Sequence, residues 1–210
     1  MEYKGIPVFF SWPSEAYRRQ FLGFDYYSKN AYLETRQIAL KSHKYVALAI
    51  DELEKQHQPL DIVAHSMGAD IAVKALLLRK TKLTSLADSP LFRKLSLVLA
   101  APDISADEFA IDMLPVLAGS AQSVTIIAIY CADDLALSIS RMYNNSDRRL
   151  GYCTASDPPA DISQMITIRG DIPGLSHHSY YLNSPKVLED MKKRFAPIVP
   201  AGMRRVIVLH

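Results

Sequence analysis

A chain of 210 residues, 49% apolar and 22% charged, can bury a large core and is expected to form a single domain. Its 24 Lys and Arg stand against 22 Asp and Glu, mixed throughout for a formal net charge of +2, so nothing in the charge points to nucleic acid. No apolar run reaches membrane-spanning length, and Met1-Glu2-Tyr3-Lys4 leads straight into a strand-like run, so no signal peptide is expected. Cys131 and Cys153 do not make a disulfide framework and show no metal-ligand spacing; a reduced compartment suits them, and the expected location is cytoplasmic.

In chain order, Ile6–Ser11 reads as a strand that Trp12-Pro13-Ser14 ends. Glu15–Tyr27 is aromatic and irregular, a short helix or a packed connection. Trp12, Tyr17, Phe21, Phe24, Tyr26 and Tyr27 are expected to be mostly core, with an acyl-pocket lining as the alternative. Asn30–Lys55 reads as one long amphipathic helix with Ile38, Ser42, Tyr45, Val46, Ala49, Ile50 and Leu53 on its apolar face. His43 and His57 are expected to be solvated surface histidines.

The next stretch is the most informative. An apolar run from Leu60 ends at Ala64, a turn carries Ser66, and an Ala/Leu-rich stretch continues to Arg79. That is a buried strand, a sharp turn and a buried helix. Ala64-His65-Ser66-Met67-Gly68 is the small-x-Ser-x-small form of a nucleophile elbow, with Ala64 where glycine is usual. Such a turn lifts the serine hydroxyl and aims the positive end of the following helix at it, so the N–H of Met67 is the expected oxyanion donor.

Leu95–Ala101 and Val124–Tyr130 are further buried strands, ended by Pro102-Asp103 and by Cys131-Ala132-Asp133-Asp134. Asp107–Leu117 reads as a short helix with Phe109, Met113 and Leu114 inward, and Leu135–Tyr143 as another helix. Asn144–Ala160 is a polar loop, Gln164–Ile168 a strand and Gly170–Tyr181 a loop. A helix over Ser184–Phe195 has Ser184 as its cap and Pro185 in its first position. Apolar strands alternating with helices predict a parallel sheet covered on both faces, with ligands beyond the strands' carboxyl ends.

A serine hydroxyl needs a base, and the base needs an acid to hold its tautomer. The chain supplies Ser66, then Asp134, then His178, in the order this architecture uses. Asp133 and Asp103 compete for the acid, Asp134 could simply cap the next helix, and His177 competes for the base. His65 is expected to pack in the elbow rather than act as a base. No cofactor or metal is expected.

The blocks Phe10-Ser11-Trp12-Pro13-Ser14, Ala64-His65-Ser66-Met67-Gly68, Leu99-Ala100-Ala101-Pro102-Asp103-Ile104, Asp134-Leu135-Ala136-Leu137 and His178-Ser179-Tyr180-Tyr181 together resemble an uncharacterised bacterial α/β-hydrolase family, esterase- and lipase-like. The resemblance spans nearly the whole chain up to Phe195. It implies a three-layer sandwich with a mostly parallel sheet of about six strands, and serine hydrolase chemistry on a small-molecule acyl substrate. It favours Ser66, Asp134 and His178 as the catalytic residues.

Such proteins begin with a strand ending in His-Gly, whose loop gives the second oxyanion N–H; here the chain starts almost at Phe10-Ser11-Trp12. Beyond a linker over 196–203, the segment 204–210 reads like that strand and stops at His210. The expectation is that Val206–Leu209 fills the gap between the Phe9 strand and the elbow strand, against edge pairing, a partner's strand or a disordered remnant. The oxyanion loop would remain absent, which motivates an alternative: a catalytically impaired binding or scaffold protein. An acyltransferase or thioesterase with the same residues is a third reading.

Overall fold

The computed structural model describes residues 6–11, 19–21, 24–26, 29–55, 60–82, 95–118, 124–154, 167–169, 178–194 and 205–209. The main sheet comprises β1 (Ile6–Phe10), β4 (Leu60–His65), β5 (Leu95–Ala100), β6 (Val124–Cys131), β7 (Thr167–Arg169) and β8 (Arg205–Leu209). Its order is β1-β8-β4-β5-β6-β7, and every neighbouring pair is parallel. The C-terminal strand β8 lies between β1 and β4, with Ile207 opposite Val8 on one side and Ile62 on the other. Glu15–Tyr27 is not helical where it is described: β2 (Arg19–Phe21) and β3 (Phe24–Tyr26) form a separate antiparallel pair. Trp12, Tyr17, Tyr27 and the side chains of Phe21, Phe24 and Tyr26 lie outside the described residues, as do His57, Gln164 and His177.

Alternation along the strands builds two cores. Ile62, Leu97, Leu99 and Ile129 point to one side of the sheet; Val63, Val98, Ala100, Ala128 and Tyr130 point to the other. On the first side they meet helix α2 (His43–Glu54), helix α3 (Met67–Lys82) and the segment 106–118. On the second they meet Leu137 of α6 (Leu135–Tyr143), Tyr180, Tyr181, and Val187 and Met191 of α7 (Pro185–Arg194). All six residues of β4 are buried, as a central strand covered on both faces requires.

The long helix breaks at Ser42 into α1 (Lys29–Lys41) and α2. Ser42 N–H donates three residues back, to Ala39 O (2.9 Å), and Ser42 Oγ–H donates to Ile38 O at 3.2 Å. Side chains that compete for backbone acceptors in this way bend helices. The buried face shifts with the break: Ala39, Ser42, Val46, Ala47 and Ile50 are buried, whereas Ile38 and Tyr45 are exposed. His43 is half-buried, with Nδ1 against Leu40 O, and is not simply solvated.

The segment 106–118 has Phe109, Met113 and Leu117 buried, but its middle is a π-helical turn, Phe109–Met113, between α4 (Ala106–Glu108) and α5 (Leu114–Ala118). Pro115 accounts for it, since Pro115 has no N–H to return to Ile111 O and its ring displaces that carbonyl.

The polar loop after α6 contains a rib over 148–153 that joins two strand ends. Leu150 N–H donates to Ile104 O (2.8 Å) and Gly151 N–H to Pro102 O (2.9 Å) on the loop after β5. Ala132 N–H donates to Gly151 O (3.1 Å) and Cys153 N–H to Ala132 O (3.0 Å), just past β6. Gly151 is needed here, because a Cβ would lie 2.7 Å from Ala101 Cα and closer still to neighbouring backbone atoms. The two cysteines are not free thiols, as expected from the sequence, but a disulfide, with Cα atoms 5.6 Å apart. Replacing both with serine is expected to lower unfolding free energy by about 2–4 kcal/mol, given the 22-residue separation, read as a drop in the urea midpoint. An unchanged midpoint, or free thiols titrating in the native oxidised protein, would count against the bond.

Candidate active site

Ser66 forms the turn between β4 and α3 with φ of 55°, a left-handed conformation costly for a serine. Three hydrogen bonds hold the turn. Ser66 N–H donates to Ala100 O, while Ser66 O accepts from Ala69 N–H and from Asp103 N–H, each at 3.1 Å. The elbow is therefore tied to the end of β5. Ala64 and Gly68 are buried, and Ser66 and Met67 are half-exposed. Because α3 begins at Met67, the Met67 N–H has no acceptor within the helix.

Asp134 and His178 come together at the end of β6. His178 Nδ1–H donates to Asp134 Oδ2 at 2.6 Å. The other carboxylate oxygen accepts from Ala136 N–H (2.9 Å) and Leu137 N–H (3.3 Å), so Asp134 also caps α6. Capping and holding the imidazole were competing expectations; one buried carboxylate serves both, one oxygen each. With Nδ1–H committed to the carboxylate, the lone pair of a neutral His178 ring falls on Nε2. His178 is about a quarter exposed.

The segment around His178 is fastened to the sheet and to the elbow. Tyr180 OH donates to Tyr130 O at the end of β6. Burial, with Asp134 nearby, pushes the Tyr180 hydroxyl's pKa well up, so it stays a donor. The ring of His65 packs against that of His178 at 4.5 Å between centroids, and against Tyr181 at 4.8 Å. His65 Nε2–H donates to His178 O at 3.0 Å.

The other acids stand elsewhere. Asp133 is exposed. Asp103 is buried in a cationic network behind the elbow. Arg149 Nε–H donates to Asp103 Oδ1 (2.7 Å) and Nη2–H to Asp103 O (2.7 Å). Ser140 Oγ–H donates to Oδ1 (2.6 Å) and Tyr32 OH to Oδ2 (2.8 Å). Arg36 links Asp103 O (3.0 Å) to Asp70 Oδ2 (2.9 Å) in the first turn of α3. Asp103 thus braces the elbow and the rib, a role that its place in the sequence does not reveal.

Burial alone would raise the Asp103 carboxyl's pKa, but Arg149 and Arg36, with bonds from Ser140 and Tyr32, hold it below the usual carboxylate range. The sign follows from linkage. A carboxyl with a depressed folded pKa contributes stability that is full above its unfolded value, about 3.9, and is lost as pH falls through the folded value. The urea midpoint should therefore fall more steeply below about pH 4 in the native protein than in Asp103→Asn. Parallel acid profiles for the two proteins would refute this. Asp103→Asn should itself lose up to about 3–5 kcal/mol at pH 7, because buried Arg149 loses its fully buried counter-charge and keeps only the partly exposed Asp147, 3.0 Å from Nη1.

A strained serine turn between a buried parallel strand and a buried helix, with the residue before the serine packed against the histidine of a histidine–carboxylate pair at the sheet's carboxyl edge, is the arrangement of an α/β-hydrolase fold. The comparison with known families agrees: residues 1–194 match the family described as an α/β hydrolase of unknown function (DUF900), and the chain belongs to it. Neither the curated proteins nor the solved structures give a match. Among the described residues no helix is long and apolar enough to cross a membrane.

Proposed function

We propose that this α/β hydrolase is a serine hydrolase that cleaves carboxylic esters or related acyl bonds. Ser66 Oγ attacks the acyl carbonyl while His178 Nε2 takes its proton. The same nitrogen then protonates the leaving alcohol, and after deacylation by water it is again a free base. Asp134 holds Nδ1–H and stabilises the imidazolium. The Met67 N–H, with the positive end of α3 behind it, receives the oxyanion. In this reading β8 stands where the family's His-Gly strand belongs, and the chemistry uses no metal or cofactor.

The observation that carries the proposal is the 2.6 Å bond from His178 Nδ1 to Asp134, with the His178 ring packed at 4.5 Å against His65, the residue before a serine held in left-handed backbone geometry. The chain's disulfide favours an oxidising compartment over the cytoplasm. A fluorophosphonate probe, which reacts with activated serines, should label the native protein and leave folded Ser66→Ala unlabelled. Absence of labelling of folded native protein, or equal labelling of the variant, would remove the proposal.

A further inference from the structure

Resting on that reading, we infer that His65 is a positioning residue, the part that fixes the base His178 relative to the nucleophile Ser66. His178 arrives 112 residues after Ser66, on a segment joined to the sheet through Asp134 and Tyr180 near β6. Those anchors locate His178 relative to β6, whereas Ser66 sits on the turn after β4, on the far side of β5. His65 spans that gap. It is the last residue of β4 and is bonded covalently to Ser66. Its ring donates from Nε2 to the main-chain oxygen of His178, 3.0 Å away.

The donor role is forced, since a carbonyl only accepts, and it sets the His65 tautomer with the proton on Nε2. Tyr181 lies against the His65 ring and limits its rotation, while His65 walls the ring of His178 at 4.5 Å. His65 is 4% exposed, so its side of the contact is buried rather than a surface encounter. Serine-to-imidazole geometry is thus measured off the strand that carries the serine. That matters because a displacement of about 1 Å can cost about a hundredfold in rate.

The test compares His65→Leu, which removes the donor, with His65→Gln, which can present an amide N–H in nearly the same place. Fluorophosphonate labelling over a range of probe concentrations separates the maximal rate from the probe's affinity. The far-downfield imidazole proton shared by His178 and Asp134 is followed by NMR in parallel, in Ser66→Ala and in its combinations with each His65 variant. The expected result for His65→Leu is a maximal rate lower by roughly tenfold to a hundredfold at unchanged probe affinity, with the resonance shifted or broadened. His65→Gln should recover most of both.

Labelling of His65→Leu at the native rate would overturn the inference. So would slower labelling with the resonance unmoved, because the effect would then pass through the Ser66 turn. If His65→Leu does not fold, a His65→Gln protein slowed as much as His65→Asn, whose shorter amide cannot reach the carbonyl, also overturns it. A native protein that does not label, yet whose resonance moves in His65→Leu and returns in His65→Gln, supports the positioning contact and defeats the hydrolase reading alone.

Discussion

Asp134→Asn is expected to lower ester hydrolysis by about ten-thousandfold while leaving the fold nearly as stable as before. The reason lies in the division of labour between its two oxygens. Oδ1 accepts from the first N–H groups of α6, and asparagine caps a helix about as well as aspartate. Oδ2 accepts from His178 Nδ1–H, and there an amide differs in kind. If the amide nitrogen faces the ring, it donates to Nδ1 and drives the proton to Nε2, the atom that must take the serine proton. If the amide oxygen faced the ring, the tautomer would survive without a counter-charge for the imidazolium, but the NH2 would then meet the α6 N–H groups and the cap would be lost, so the first orientation is the expected one. The measurement is kcat on a small activated ester beside a thermal melt. A kcat within tenfold of native, at unchanged Tm, would mean that Asp134 caps α6 and does little else.

Ending the chain at residue 200 is expected to abolish soluble, folded protein. β8 has five register pairs with β1 and five with β4. Without it β4 loses its hydrogen-bonded neighbour on one side, and β1, whose place in the sheet is next to β8, loses its connection altogether. Two rows of unpaired N–H and C=O groups would then face each other across a gap about a strand wide. Against a typical total stability of about 5–15 kcal/mol, opening the sheet beside the elbow strand leaves no margin. Soluble yield and a melting curve on the shortened chain decide the matter. A curve superimposable on that of the full chain would show that β8 is not needed in the sheet.

Much of this was readable locally. The strands, the helices and the serine turn follow from apolar runs and from turn chemistry, which depend on near neighbours in the chain. Leu60 to Arg79 is such a case: a buried strand, a turn and a buried helix, with Ser66 where the motif puts it. The π turn at Phe109–Met113 had a visible cause in Pro115, and the kink at Ser42 had one in a serine–histidine pair, yet neither is compelled without packing.

By itself, then, the sequence determined the alternation of strand and helix, the elbow and the candidate acids and histidines, because each rests on contacts within a few residues. Asp103 and Asp134 both follow apolar strands and differ in the sequence only through the resemblance, which favoured Asp134; the tertiary structure shows their partners, Arg149 and Arg36 on one and His178 on the other. The tertiary structure alone made the 148–153 rib, the Cys131–Cys153 bond and the reach of His65 to His178. These are meetings of residues tens of positions apart. Nothing in local periodicity encodes which of several equivalent strand ends a distant loop will land on; that is settled by the order of strands in the sheet and by the buried charges that must find partners.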